Sequence, residues 1–489
     1  MNQWVSDEPA RSYHGIVRWA ALLLLLPAAA AQDLTRLEGR SLNPPDADLL
    51  RSLSLAIPSL PIPRALSNAY QSAWARNDFP AIWRYSTRIA LIAKGKPWND
   101  RMEVISSYNL LLDRRIIEPG DPLEVTLQPL FTLGRAARCS CRARLSFHGR
   151  ELASASLDNF PTITHQVPTA SLPDGDYAVE YSLGYFTAHR VFTVRRGLRA
   201  RLAALGGAGF SLPNSTAQWA KSWVERAMRE YYASNLERAH PALSLVPELL
   251  PGLAYLHDPD GALDALATAE KLLDGQQVTG SLHLAYRSTL DHTLQPFRVY
   301  VPRHAAAEKW PVVVVLHGTP GDEGTYFVDD ALTTLAERRG YLVVSPAARG
   351  PMGNYTDDSE RDVLDVLALA LQTWPADPHR VFLTGHSAGG LGGWLIAFKY
   401  PNRFAGLAAV ATAGMPPPAL LQAAPGLPVL VIQGGRDILI PNAYTQKALA
   451  APRSILKNFQ YLEFPTDDHF SLVSASLEAV FDFFDRLPP

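Results

Sequence analysis

Cysteine is nearly absent from this 489-residue sequence: the two present are Cys139 and Cys141. That excludes a disulfide-stapled fold, a Cys-rich zinc module and an iron–sulfur protein. Charge of one sign is lacking too. Lys plus Arg number 45 and Asp plus Glu 47, for a net charge of −2. A function that needs bulk positive charge, as in nucleic-acid binding, is therefore excluded. No apolar run reaches the ~20 residues that a membrane-spanning helix needs. What is there is ordinary core-forming material, 47% hydrophobic and 19% charged, which excludes disorder as the main state. The length allows about three domains. Proline is high, 39 against 32 glycines, and marks many loop boundaries.

The first 31 residues read as a leader. Leu22 to Leu26 is a pure leucine run in a short apolar stretch that starts at Trp19. Arg11 and Arg18 precede it, and Ala28 to Ala31 follow. At about 13 residues the stretch is too short to span a bilayer. A positive flank, a short apolar centre and an A-x-A exit make a secretory signal, cut after Ala30 or Ala31. The expected mature protein is exported, periplasmic or extracellular. It has no nucleic-acid partner and no membrane association once the signal is removed.

Beyond the leader the texture changes several times. Residues 32–118 read as a helical region, with Pro44, Pro45, Pro58, Pro61 and Pro63 early and a periodic part over 65–93. Trp74, Ile82 and Trp83 are helix-packing residues there. In 119–197, the segments 123–130, 143–147, 177–183 and 191–194 alternate apolar and polar with period two. Pro173-Asp174-Gly175-Asp176 supplies turn chemistry. Short strands at this spacing predict a small immunoglobulin-like β-sandwich. Cys139 and Cys141 fall inside it, two apart on a strand, and either a bridge or two free thiols fits. Residues 198–279 return to a helical pattern and form a connector. One helix is expected from a cap at Asn214 or Ser215 to about Arg238, with Trp219, Trp223, Ala227 and Tyr231 on one side. Asp260 is expected to cap another, over 261–273.

From 280 to 489 strands and helices alternate. An antiparallel pair is expected at 282–286 and 297–301. Pro311 to Leu316 (PVVVVL) is a continuous apolar run, the mark of a strand buried on both faces. A helix over 330–339 stops at Gly340, and strands follow at 341–345, 380–384, 407–411, 429–433 and 459–464. Helices are expected at 360–373, after Thr384, and at 471–486. The fold class is α/β, a mostly parallel sheet with helices on both faces.

The chemistry sits at the strand ends. Gly385-His386-Ser387-Ala388-Gly389 is G-x-S-x-G between an apolar strand and a helix, which makes Ser387 the candidate nucleophile. A serine hydroxyl needs a base. His469 is the only histidine downstream. The acid that orients it is expected at Asp437, after the strand 429–433, with Asp467 and Asp468 as rivals. Two N–H groups must face the developing oxyanion, one on Ala388 and one on Thr319 in His317-Gly318-Thr319-Pro320-Gly321. His317 braces that loop, and His386 sits too close to the nucleophile to act as base. Tyr326, Met415, Ile438 and Phe470 lie in loops beside the motifs, as candidate walls of a substrate pocket. No cofactor or metal is called for.

The stretches HGTPGDEGTYF, DPHRVFLTGHSAGGLGGWLIAFKYPNRFAGLAAVA, GGRDILIPN and DDHFSL resemble the α/β-hydrolase superfamily. Within it they are most similar to secreted esterases and peptidase-like enzymes near the feruloyl-esterase, polyhydroxyalkanoate-depolymerase and prolyl-oligopeptidase branches. The resemblance covers 280–489. It implies Ser387 as nucleophile, Asp437 as acid, His469 as base, and Thr319 with Ala388 as oxyanion donors. The chain runs from Ser387 to Asp437 with no room for a large cap insertion. The expected activity is hydrolysis of a small-molecule or oligomeric carboxylic ester through an acyl-enzyme. A serine peptidase and a non-catalytic binding protein on the same fold are the other readings.

Overall fold

The computed structural model describes residues 63–75, 108–129, 141–157, 161–183, 186–205, 209–229, 259–304, 307–319, 321–327, 330–350, 354–437 and 439–488, with isolated positions between 81 and 104. The expected leader, Cys139, Tyr231 and Ile438 lie outside the described residues. Cys141 is disulfide-bonded, and Cys139 is the only other cysteine in the chain.

Among the described residues, helix α1 (Arg64–Ala75) is followed by eight strands: β1 (Tyr108–Leu112), β2 (Ile116–Ile117), β3 (Leu123–Pro129), β4 (Arg142–Phe147), β5 (Arg150–Ser156), β6 (Ile163–Val167), β7 (Gly175–Leu183) and β8 (Phe186–Val194). They form two sheets, in the orders β1-β3-β6 and β2-β8-β7-β4-β5. The inward residues alternate as a sandwich requires: Leu123, Val125 and Leu127 on β3 and Val179, Tyr181 and Leu183 on β7 are fully buried. Arg190 on β8 crosses between the sheets, donating through Nε to the Leu110 carbonyl at 2.9 Å.

Among the described residues three helices follow, α2 (Leu198–Ala204), α3 (Leu212–Arg229) and α4 (Pro259–Leu273). Helix α3 starts two residues before Asn214, so Asn214 and Ser215 lie inside its first turn and do not cap it. Asp260 likewise falls inside α4. Proline stands at the first position of α4, where the N–H it lacks would have no partner within the helix.

The last part begins with β9 (Gly280–Arg287), β10 (Leu294–Val301) and β11 (Trp310–Leu316). Then come α5 (Ala331–Arg339), β12 (Leu342–Pro346), α6 (Asp357–Thr373), β13 (Ala376–His386), α7 (Ala388–Lys399), β14 (Gly406–Val410) and α8 (Pro418–Gln422). The chain ends with β15 (Val429–Gly434), α9 (Asn442–Ala448), α10 (Ala450–Ile455), β16 (Phe459–Phe464), α11 (Leu472–Ala475) and α12 (Leu477–Asp485). The C-terminal helix expected as one piece is two, broken at Ser476. Gly340 ends α5 at φ 72°, a left-handed cap that glycine takes without strain.

The sheet order is β16-β15-β14-β13-β11-β12-β10-β9, parallel from β16 to β12 and antiparallel over the last two pairings. Strand β11 shows why the valine run works. Val312, Val314 and Leu316 join one core with α6 and α7, while Val313 and Val315 join the other with α5 and α12. Each fully buried valine contributes on the order of 1.5–3 kcal/mol.

Strand β9 is a sheet edge, and α3 lies across it. The Thr216 hydroxyl donates to the Ala285 carbonyl at 3.1 Å and accepts from the Ala285 N–H at 3.2 Å. The outward backbone groups of the edge strand are satisfied there by a helix side chain. Among the described residues no helix is long and apolar enough to cross a membrane.

Candidate active site

Register puts the candidate residues in one row. Leu316 pairs with Gly385, His386 with Val410, and Gly434 with Phe464, so five parallel strands end along one side of the sheet. The chain leaves β11 toward β12 on one side and returns at β13 on the other. That reversal opens a crevice beyond the strand ends, between the loop after Leu316 and the turn at Ser387.

Ser387 stands at φ 56° and ψ −116°, a strained conformation for a residue with a side chain. Its N–H donates to Val410 O at 2.9 Å, and its carbonyl accepts from Ala413 N at 3.0 Å. These bonds hold the turn from both sides. The motif glycines are forced by close backbone approach: a Cβ on Gly385 would lie 2.2 Å from Gly389 O, and one on Gly389 2.1 Å from Leu316 O. A Cβ on Gly392 would enter the ring of the fully buried Tyr355.

Asp437 and His469 meet directly. The imidazole Nδ1 donates to Asp437 Oδ2 at 2.8 Å, both side chains being buried. Two further donors hold the carboxylate, Gln433 Nε2 on Oδ2 at 3.0 Å and the Ile440 N–H on Oδ1 at 2.7 Å. Gln433 is itself fixed by the Thr445 hydroxyl. With Nδ1 committed to the acid, Nε2 is the ring nitrogen left to accept a proton. Among the described residues no hydrogen bond joins the Ser387 hydroxyl to His469. They are tied one residue away: His386 Nε2 donates to the His469 carbonyl at 2.7 Å, and the two rings are 4.5 Å apart. Burial, with the His469 imidazole alongside, lowers the His386 pKa to about 3, so His386 is a neutral donor.

The rival acids do other work. Asp468 Oδ1 accepts from the Phe470 and Ser471 N–H groups, and Asp467 Oδ1 accepts from the Ser471 hydroxyl. The Asp467 backbone carbonyl accepts from Arg436 N at 3.0 Å, which laces the acid loop to the histidine loop.

His317 lies fully buried between two carbonyls, Gly318 O at 3.0 Å and Ala347 O at 3.1 Å, and burial lowers its pKa. Tyr355 donates to the His317 carbonyl at 2.8 Å. Gly318 abuts the nucleophile turn, for its Cβ would lie 3.1 Å from Ser387 Cβ. Among the described residues neither the Thr319 nor the Ala388 N–H donates to any group of the protein.

Residues 313–489 match the profile described as the Alpha/beta hydrolase family. This part of the chain has the α/β-hydrolase fold. Among curated relatives, acetylxylan esterase A of Aspergillus oryzae is 26% identical over 129 residues, 24% of this chain and 41% of the relative. Feruloyl esterase B of Talaromyces stipitatus is 26% identical over 129 residues, 24% of this chain and 35% of its own. The chain thus spans well under half the length of these relatives. An S-formylglutathione hydrolase of Staphylococcus aureus, 18% identical, aligns over 42% of this chain and 98% of its own with a TM-score of 0.37.

The three described candidate pocket residues, Phe470, Tyr326 and Met415, separate. In the hydrolase domain Phe470 stands edge-on to His469, ring centroids 5.4 Å apart. Tyr326 is buried in the core shared with α5 and α12, and Met415 packs against the core on the other face. A surface cavity of 1030 Å³ lies at the opposite ends of the parallel strands, among Asp377, His379, Lys457 and Asn458. Sequence reasoning missed Gln433 and Tyr355, and it dismissed His386 without giving it a task. A polar residue ending a continuous apolar strand, as Gln433 does in VLVIQ, was the available signal.

Proposed function

We propose that the protein is a carboxylic-ester hydrolase working through an acyl-enzyme on Ser387, His469 and Asp437. The observation that carries this is the buried His469–Asp437 bond beside a serine held at a strained turn. The His469 Nε2 takes the Ser387 proton as the hydroxyl oxygen attacks the ester carbonyl. The oxyanion that forms meets the free N–H groups of Thr319 and Ala388, each worth on the order of 10²–10³ in rate. Collapse expels the alcohol, which takes the proton back from His469. Water then repeats the sequence, releasing the acid and restoring Ser387.

The names of the relatives, an acetylxylan and a feruloyl esterase, support small acyl groups on a sugar-linked or aromatic ester. Phe470 is the proposed wall nearest the base, with Tyr326, Met415 and Ile438 as outer candidates. The leucine run at 22–26 supports export, periplasmic or extracellular.

A fluorophosphonate probe should label the protein once, and Ser387→Ala should abolish both labelling and turnover. Graded p-nitrophenyl esters run beside amino-acyl anilides test the substrate class. Faster cleavage of anilides would replace this reading with a serine peptidase. Labelling that survives in the alanine variant would sink the nucleophile.

A further inference from the structure

The loop from His317 to Phe327 carries the Thr319 donor, and it is anchored at a second point well past Thr319. Glu323 is buried, and its Oε1 accepts from His283 Nε2 at 2.8 Å. His283 belongs to β9, the edge strand. On its outer side lie two rings of α3, Trp219 at 4.5 Å and Trp223 at 5.3 Å between centroids. Arg298, register partner of His283 on β10, places its charge close to both members of the pair.

The chemistry of the pair is settled by burial. Desolvation and the Arg298 charge lower the His283 pKa, so the imidazole is neutral. The His283 N–H and the Arg298 charge hold Glu323 ionised. The Nε2–H tautomer leaves Nδ1 as a bare acceptor. That atom is buried without a hydrogen-bond partner, a smaller penalty than an orphaned donor would bring. Neither residue reaches the strand-end row of Ser387 and His469, and the acyl-transfer steps do not use them.

We propose that His283 and Glu323, backed by Trp219 and Trp223, form a strut that positions the 317–327 loop, so that helix α3 sets the placement of the Thr319 N–H. This rests on the reading of Thr319 as an oxyanion donor. His317 fixes the start of the loop and Glu323 fixes it four residues beyond Thr319. Between those anchors Thr319 makes no hydrogen bond among the described residues. A donor with no bond of its own is aimed only by its flanks. A preorganised donor stabilises a transition state only when held in place, so a strut on one flank acts on rate. The helical connector thereby gains a role as a positioning element for the hydrolase site.

The full-length protein decides this with His283→Leu, His283→Gln and Trp223→Leu. Hydrogen–deuterium exchange tests the strut without reference to catalysis. Amides of 317–327 should exchange about tenfold faster in His283→Leu and Trp223→Leu, while β12 keeps its protection. Glutamine offers an amide N–H to Glu323 and should restore the loop. With p-nitrophenyl acetate, His283→Leu should lower kcat about 10- to 100-fold at unchanged KM, a part of what losing a whole donor costs. Inhibition by an aryl trifluoromethyl ketone, which forms an oxyanion on the serine, should weaken by the same factor. Unchanged exchange in 317–327 overturns the strut. A loosened loop with unaltered kcat and ketone affinity overturns its action on Thr319. If the wild type neither hydrolyses esters nor takes the fluorophosphonate, the fault lies in the functional reading, and the exchange data still decide the strut.

Discussion

Acidification should destabilise this protein in proportion to the protons that its buried imidazoles refuse. His386 is the clearest case: burial lowers its pKa from 6.5 to about 3. The folded value lies below the unfolded one, so between about 6.5 and about 3 the unfolded chain binds a proton that the folded chain does not. Stability is therefore full above about pH 6.5 and falls as pH falls through that window. One pH unit is worth about 1.4 kcal/mol per group, so His386 accounts for about 2 kcal/mol of loss between pH 6.5 and 5. His283 and His317 shift the same way for the same reason. His386→Gln removes one titrating site and leaves an amide donor for the His469 carbonyl. Urea unfolding at half-unit steps from pH 7 to 4.5 reads the difference. Below pH 6 the variant's stability should fall less steeply than the wild type's, by about 1.4 kcal/mol per pH unit. The carboxylates are common to both proteins and cancel. Parallel curves for the two proteins would refute the assignment of a buried neutral His386.

Three further outcomes follow from the geometry. Asp437→Asn should lower kcat on the order of 10⁴-fold, while Asp468→Asn, which alters only a local turn, should cost under about tenfold; steady-state ester kinetics check both. Gln433→Leu leaves Asp437 with one fewer donor and should reduce kcat about 10- to 100-fold with little change in KM. Gly389→Ala drives a methyl into the Leu316 and His317 carbonyls and should destabilise the fold by about 3 kcal/mol or more, measured by thermal or urea unfolding.

The hydrolase sheet was legible because its signals are local. The valine run of β11, the glycine stop after α5 and the G-x-S-x-G turn each announce themselves within a few residues. The candidate acid and base followed from order along the chain, and the structure places their side chains 2.8 Å apart. Strands β1, β2, β5 and β6 were not foreseen. Arg150–Ser156 carries small residues at half-buried positions and has almost no period-two contrast. The break at Ser476 was invisible because apolar spacing continues across it. Gln433, His386 and the His283–Glu323 pair were illegible for another reason. A polar residue's task depends on what stands across from it, and those partners lie up to 83 residues away.

The hydroxyl of Thr216 has a consequence for how this chain can be divided. A polypeptide cut at residue 280 would begin with β9 bare, its outward N–H and C=O groups at Ala285 facing water and any neighbouring molecule. An unpaired strand edge is a template for another strand, so such a fragment should self-associate through β9 even if its own sheet folds. The apolar flank of Trp219 and Trp223 on His283 would be lost at the same cut. The smallest piece that keeps this edge covered should therefore start before Leu212 and carry its own edge guard.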